Sequence, residues 1–211
     1  MSNKIIIIDY GVGNILSIKN AITFHGYTPI VTNDHKEIES ASHIILPGVG
    51  AFPSAMKKLR DLELIEPILK AKENQSYLLG ICLGMQLLFT NSEEFQLTKG
   101  INLIKGSIVK LDKLNANFDS KLPNIGWRNC EIDSSKNSID ILKDLSLSDE
   151  FYFVHSYALV SHEKKLNIIN SNYKNIQFPA IINYENIYGC QFHPEKSGPQ
   201  GLKLIKNFLN L

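Results

Sequence analysis

The segment Tyr77-Leu-Leu-Gly-Ile-Cys-Leu-Gly-Met-Gln-Leu-Leu88 decides how this chain is read. Tyr77 to Ile81 has the continuous apolar character of a strand buried on both faces of a parallel sheet, and Leu83 to Thr90 begins a helix directly behind it. Between them Gly80, Cys82 and Gly84 spell G-x-C-x-G, an arrangement with the physics of a nucleophile elbow. The glycines permit a tight turn with close backbone approach, and the central side chain is pushed out at the top of the sheet. At a helix N-terminus the Cys82 thiol meets the positive end of the macrodipole, which favours thiolate. The N–H of Leu83 is then free to bond an oxyanion. A buried structural cysteine beside a glycine turn is the plainer alternative, since free cysteines are among the most buried residues.

Upstream, the chain alternates strands and helices. Lys4 to Asp9 is a β-branched run, Gly11, Gly13 and Asn14 make a turn, and Ile15 to His25 has helical periodicity. Further strands are expected near Thr28 to Thr32 and at His43 to Leu46, and a helix over Ala55 to Lys72 that restarts around Pro67. Repeated βα units predict a mostly parallel central sheet flanked by helices. Downstream, short strand-like segments (Ser107 to Leu111, Cys130 to Ile132, Phe151 to Val160, Leu166 to Asn170, Ala180 to Tyr184, Ile187 to Phe192) predict an antiparallel excursion attached to the same sheet. A helix from about Gly198 or Gln200 to Leu211 closes the chain. With no linker, repeat or low-complexity tract, residues 1–211 are read as a single domain.

Bulk chemistry narrows the function classes. With 22 Lys plus Arg against 21 Asp plus Glu, the formal charge of +1 leaves no footprint for nucleic acid or an anionic membrane. The apolar run before Asp9 is too short for a signal core or membrane span. Three cysteines without a CxxC pair disfavour a disulfide framework or zinc site, so a cytoplasmic setting is expected, with neither metal nor cofactor.

A cysteine nucleophile needs a base. Gln191-Phe-His-Pro-Glu-Lys-Ser supplies one: His193 follows a strand, precedes a proline that biases it to extended backbone, and stands two residues before Glu195. Cys82, His193 and Glu195 thus have the roles of nucleophile, base and orienter. His25, His35, His43 and His162 lack a partner pattern; His155 is read as either pocket-lining or structural.

Taken together, these elements resemble the class I (triad) glutamine amidotransferases. The matching stretches are Asp9-Tyr-Gly-Val-Gly-Asn, Leu46-Pro-Gly-Val-Gly-Ala-Phe, the Gly80 to Leu88 elbow, Ser92-Glu-Glu, Ile125-Gly-Trp, Tyr152-Phe-Val-His-Ser-Tyr and Gln191-Phe-His-Pro-Glu-Lys-Ser-Gly. They run from residue 9 to residue 198. Most of the class has Pro-Gly-Gly where this chain has Pro47-Gly-Val-Gly, a spelling that is similar to the histidine-biosynthesis branch.

The resemblance implies a class I amidotransferase fold and hydrolysis of L-glutamine to glutamate and ammonia at Cys82. Val49, Gly50 and Leu83 would form the oxyanion hole, with Gly48 and Gly50 permitting a backbone flip. Gln86, Glu94 and Ser156 would hold the substrate. Gln86 lies one helical turn after Cys82, and a carboxylate suits an α-ammonium; both residues also read as solvated helix surface. The branch docks as a heterodimer on a (βα)8-barrel cyclase that receives the ammonia and makes imidazole glycerol phosphate and an aminoimidazole ribotide. Asn14, Trp127, Tyr152 and Lys196 match partner-facing positions, and Arg128 is grouped with them.

One stretch departs: the branch commonly has Pro-His-(Ile/Met)-Gly-Trp-Asn where this chain has Pro123-Asn-Ile-Gly-Trp-Arg. Asn124 and Arg128 read either as surface drift or as the mark of a paralogue feeding ammonia to acetamidino-sugar synthesis. Two further readings are another Cys–His hydrolase, which would not need Gln86, Glu94 and the Pro47 loop together, and a non-catalytic binding module of the same fold.

Overall fold

The computed structural model describes residues 4–132, 139–161 and 163–211. Strand β1 (Ile5–Ile8) leads to α1 (Ile15–Phe24), β2 (Ile30–Thr32), α2 (His35–Glu39), β3 (His43–Leu46), α3 (Phe52–Asp61), α4 (Ile65–Glu73) and β4 (Tyr77–Ile81). The elbow helix α5 (Leu83–Leu87) follows, then β5 (Phe89–Ser92), β6 (Thr98–Lys99), β7 (Ile104–Lys110), β8 (Asn124–Asn129), β9 (Glu150–His155), β10 (Tyr157–Val160), β11 (Asn167–Tyr173), β12 (Ile176–Tyr184), β13 (Ile187–Cys190) and α6 (Gly198–Leu209).

The main sheet has the order β11-β12-β13-β4-β3-β1-β2. From β13 to β2 every pairing is parallel, while β11-β12 and β12-β13 are antiparallel. Both faces are covered. Ile5 and Ile7 point into one apolar cluster with α1 and α6, and Ile6 and Ile8 into another with α3 and α4. Full burial of each isoleucine contributes about 2 kcal/mol, so this unbroken run fits only a strand with packing on both sides. Among the described residues no helix is long and apolar enough to cross a membrane.

The structure corrects four expectations. The antiparallel excursion is not all part of the main sheet: β10-β7-β5-β6 forms a second sheet and β8-β9 a separate hairpin. The elbow helix stops at Leu87 rather than continuing to Thr90, because Leu87 O and Leu88 O accept from Ile101 N and Leu103 N (2.8 and 2.9 Å) and the chain swings into β5. A continuous apolar run such as Leu87-Leu88-Phe89 looks the same in a buried helix and a buried strand. The helix expected over Ala55 to Lys72 breaks at Leu62–Leu64, not at Pro67. There Leu64 N bonds Leu59 O, Glu63 N bonds Arg60 O, and Glu63 takes φ 53°, a Schellman closure without the usual glycine signal. Pro67 falls in the first turn of α4, where its missing N–H costs nothing. Lastly, Cys130 makes only an isolated bridge to Ser171, and the strand lies just upstream as β8.

Candidate active site

The strands β1, β3, β4 and β13 end on the same edge of the main sheet, and the candidate residues follow those ends, where parallel α/β sheets place their sites. At the end of β4, Cys82 has φ 54° and ψ −111°, backbone that costs a non-glycine residue about 1–3 kcal/mol. The surroundings hold it there: Cys82 N donates to Cys190 O at 2.7 Å and Gln86 N to Cys82 O at 3.3 Å. A Cβ on Gly84 would lie 1.9 Å from Leu46 O, and one on Gly80 would lie 2.6 Å from Met85 Cα. Only hydrogen at these two positions lets α5 seat directly on β3 and β4. Tyr10 braces the adjoining loop, its hydroxyl donating to Pro47 O at 2.6 Å. Burial pushes that phenol well above its ordinary value, so it remains a donor.

His193 emerges after β13. Its N–H donates to Tyr152 O at 3.0 Å, and its carbonyl accepts from Ser197 Oγ at 2.6 Å, which in turn accepts from Tyr152 N at 2.9 Å. The 3-10 turn Pro194–Lys196 then brings Glu195 back, and His193 Nδ1 meets Glu195 Oε1 at 2.8 Å with side chains only 3% and 0% exposed. Burial alone would lower the imidazole's pKa, but hydrogen bonds and charge from Cys82 and Glu195 outweigh it and push it up to about 10. Among the described residues Glu195 Oε2 has no hydrogen-bond partner, so this carboxylate spends its one bond on the imidazole.

A cavity of about 450 Å³ opens over the sulfur. Cys82 and His193 line it together with Val49, Gly50, Leu83, Gln86, Glu94 and Ser156, so the structure gathers these expected residues around one space. Glu195 stands behind His193. Gln86 is not a solvated helix surface: it is 5% exposed, and its Nε2 donates to Tyr157 O at 3.1 Å and Gln191 Oε1 at 2.9 Å. Glu94 Oε2 accepts from Phe52 N at 2.8 Å, at the start of α3 just beyond the Val49-Gly50 loop. Its pKa is raised by burial, with that bond opposing. Phe95, Lys110 and Tyr157 also face the cavity, which the sequence did not signal. A larger depression of about 1100 Å³ lies elsewhere, at Phe24, Leu202 and Asn207, and holds none of this set.

The expected partner-facing residues divide. Trp127 is 48% exposed and meets Tyr152 edge-to-face at 6.0 Å; Ile125 and Lys196 are exposed as well. Asn14 is half-buried at the start of α1, its Oδ1 accepting from Ser17 Oγ. Arg128 turns away from Trp127, as strand alternation requires. It donates from Nε to Asn124 Oδ1 at 2.8 Å and lies over the Tyr173 ring at 4.8 Å. Asn124 is fully buried and donates to His155 Nε2 at 2.9 Å, while His155 Nδ1 meets Tyr157 O at 2.8 Å. His155 therefore lines the cavity and is also fixed structurally.

Sequence reading assigned no role to Tyr10, Gln191 or Ser197, although all three stand in the matching stretches, and it missed the inward role of Asn124. His25 and His35 bond backbone carbonyls away from the cavity, at Leu202 and Leu62, and His43 is buried in the sheet. His162 lies outside the described residues. Among the described residues no group of three or more His, Cys, Asp or Glu is placed to hold a metal.

Comparison with known proteins finds relatives across nearly the whole chain. The glutamine amidotransferase class-I family covers residues 6–211. The imidazole glycerol phosphate synthase subunit HisH of Caldanaerobacter subterraneus subsp. tengcongensis is 44% identical over 202 residues, covering 96% of this chain and 95% of that protein. The subunit HisH of Lactococcus lactis subsp. lactis is 41% identical, covering 98% of each. A crystal structure of a glutamine amidotransferase superposes with a TM-score of 0.75 at 15% identity, over 98% of this chain and 97% of that one, a likeness of fold. The chain belongs to the class-I glutamine amidotransferase family, among relatives that are HisH subunits of imidazole glycerol phosphate synthases.

Proposed function

We propose that this chain is the glutaminase subunit of an imidazole glycerol phosphate synthase, working in the cytoplasm as one domain with a (βα)8-barrel cyclase. The observation that carries it is the buried His193–Glu195 pair at 2.8 Å, with His193 and Cys82 both lining one cavity of about 450 Å³.

In this reading L-glutamine enters with its α-ammonium toward Glu94 and its carboxamide over Cys82. The sulfur attacks the carboxamide carbon, and the oxyanion is met by N–H groups of Leu83 and the Val49-Gly50 loop. Imidazolium His193 gives its proton to the amide nitrogen, the C–N bond breaks, and ammonia leaves a glutamyl thioester. Neutral His193 then takes a proton from water as its oxygen attacks, the C–S bond breaks, and glutamic acid leaves and releases its proton. Because Glu94 accepts from Phe52 N, the residue proposed for the ammonium also touches the element following the oxyanion loop. Gly50, at φ 89° with open space around it, allows that loop to flip when the partner is loaded. The ammonia passes to the barrel partner through the face around Asn14, Trp127, Tyr152 and Lys196.

The departures at Asn124 and Arg128 do not favour a different acceptor. Asn124 is buried and Arg128 turns inward, so neither belongs to the exposed Trp127 surface. The test is glutamate release from glutamine, with and without the cognate barrel protein and its ligand. Release that rises on addition of the loaded partner is expected; no release with the partner bound overturns the proposal.

A further inference from the structure

A side chain outside the Cys82, His193 and Glu195 set reaches the nucleophile. Gln191 is fully buried, follows β13 directly, and its Nε2 lies 3.7 Å from Cys82 Sγ. It takes no part in the cavity wall, so it touches the sulfur without touching what fills the cavity.

We propose that Gln191 is a positioning residue for the cysteine, donating an amide N–H to the sulfur in its thiolate form and holding it on the line of attack. The polarity of the buried network supports this. A thiolate only accepts, so Gln191 must turn its nitrogen toward it and its oxygen away. That oxygen accepts from Gln86 Nε2 at 2.9 Å, and Gln86 Nε2 also donates to Tyr157 O at 3.1 Å. The same carbonyl receives His155 Nδ1, whose other nitrogen accepts from Asn124, which accepts from Arg128. Each member offers the group its neighbour needs, and reversing Gln191 would set oxygen against sulfur and nitrogen against nitrogen. Charge-assisted bonds of this kind are the stronger ones. Gln86 thereby acts through Gln191 as well as at the cavity.

The test is alkylation of Cys82 by iodoacetamide, with C82A as the control for Cys130 and Cys190, both buried. In Q191M, which keeps the volume and loses the donor, alkylation at pH 7 is expected to slow about tenfold and its pH profile to move to higher pH. Q86M frees the Gln191 amide to turn and is expected to slow alkylation by about two- to tenfold. The kinetic half rests on the glutaminase reading: in Q191M, kcat for glutamine falls about ten- to a hundredfold with KM changed less than about threefold. A wild-type protein that releases no glutamate refutes that reading while leaving the alkylation test intact. A folded Q191M alkylated at the wild-type rate with the wild-type profile overturns the positioning role. Should Q191M fail to fold, Q86M decides alone, and wild-type alkylation in it overturns the proposal.

Discussion

One wall of the cleft, made by β4, the Cys82 turn and the Pro47-Gly50 loop, is built from backbone. The opposite wall, made by β8, β9 and the turn into β10, is built from side-chain hydrogen bonds. On the first, strain at Cys82 is held by carbonyls and amides, and two glycines let a helix sit on the strand ends. On the second, Arg128, Asn124 and His155 hand bonds to one another down to Tyr157 O. His193 bridges them: it faces Cys82 on one side, and its backbone is pinned to Tyr152 and Ser197 on the other. At Gly80 and Gly84 the backbone wall tolerates almost no change of shape, while its loop keeps open space at Gly50; the polar wall is sensitive to charge and therefore to pH.

Removing the nucleophile from the backbone wall has the largest expected effect. C82A should lower glutamine-dependent glutamate release by at least about a thousandfold. Synthesis by the barrel partner from added ammonia should persist, because the cyclase chemistry needs only the ammonia. Retained glutamine-dependent synthesis in C82A breaks the assignment of Cys82.

E195Q tests the bridge. It removes the charge that helps hold the proton on His193, so glutamate release should fall by about a hundred- to a thousandfold. His193 must carry that proton to the leaving nitrogen, and wild-type activity should therefore decline as pH rises through about 10. With Glu195 neutralised the alkaline decline should begin at lower pH; an unmoved decline detaches it from His193. G84A tests the backbone wall by shape alone. Its Cβ would meet Leu46 O at 1.9 Å, so a urea titration should show a loss of about 3 kcal/mol or more. A loss under about 1 kcal/mol would mean the two elements can part without cost.

This contrast explains what was legible in the sequence. The backbone wall announces itself, because a glycine at 80 and 84 and a cysteine between them are demanded within one short stretch. The β1 to β4 alternation is equally local, and its strands stand where their apolar runs put them. The polar wall is made by pairings far apart in the chain: Asn124 to His155, Gln86 to Gln191, Tyr152 to Ser197. No spacing within one segment encodes them. Arg128 was grouped with Trp127 because they are neighbours in sequence, yet strand alternation sends adjacent side chains to opposite faces. The truncated elbow helix has a similar origin, since only tertiary partners on Ile101 and Leu103 turn Leu88 out of it.

The smallest expected effect belongs to the polar wall alone and appears as pH-dependent stability. Burial lowers the pKa of His155, and the nearby charges of Arg128 and His193 lower it further against the raising effect of its bond to Tyr157 O. The result is about 4, against an ordinary value of 6.5. Between those values the unfolded chain binds a proton that the folded chain refuses. Stability from this group is thus complete above about 6.5 and declines as pH falls to about 4, by at most about 3 kcal/mol. His43, whose pKa burial also lowers, adds a decline of the same sign from its place against Tyr77 and Phe208. H155Q keeps a neutral polar side chain and removes the titration, so urea midpoints measured at pH 7, 5.5 and 4 should fall less steeply than in the wild type while His43's share remains. An unchanged slope would mean that acid reaches the fold without passing through the Asn124–His155 contact, and the polar wall would then be as insensitive to pH as the backbone wall it faces.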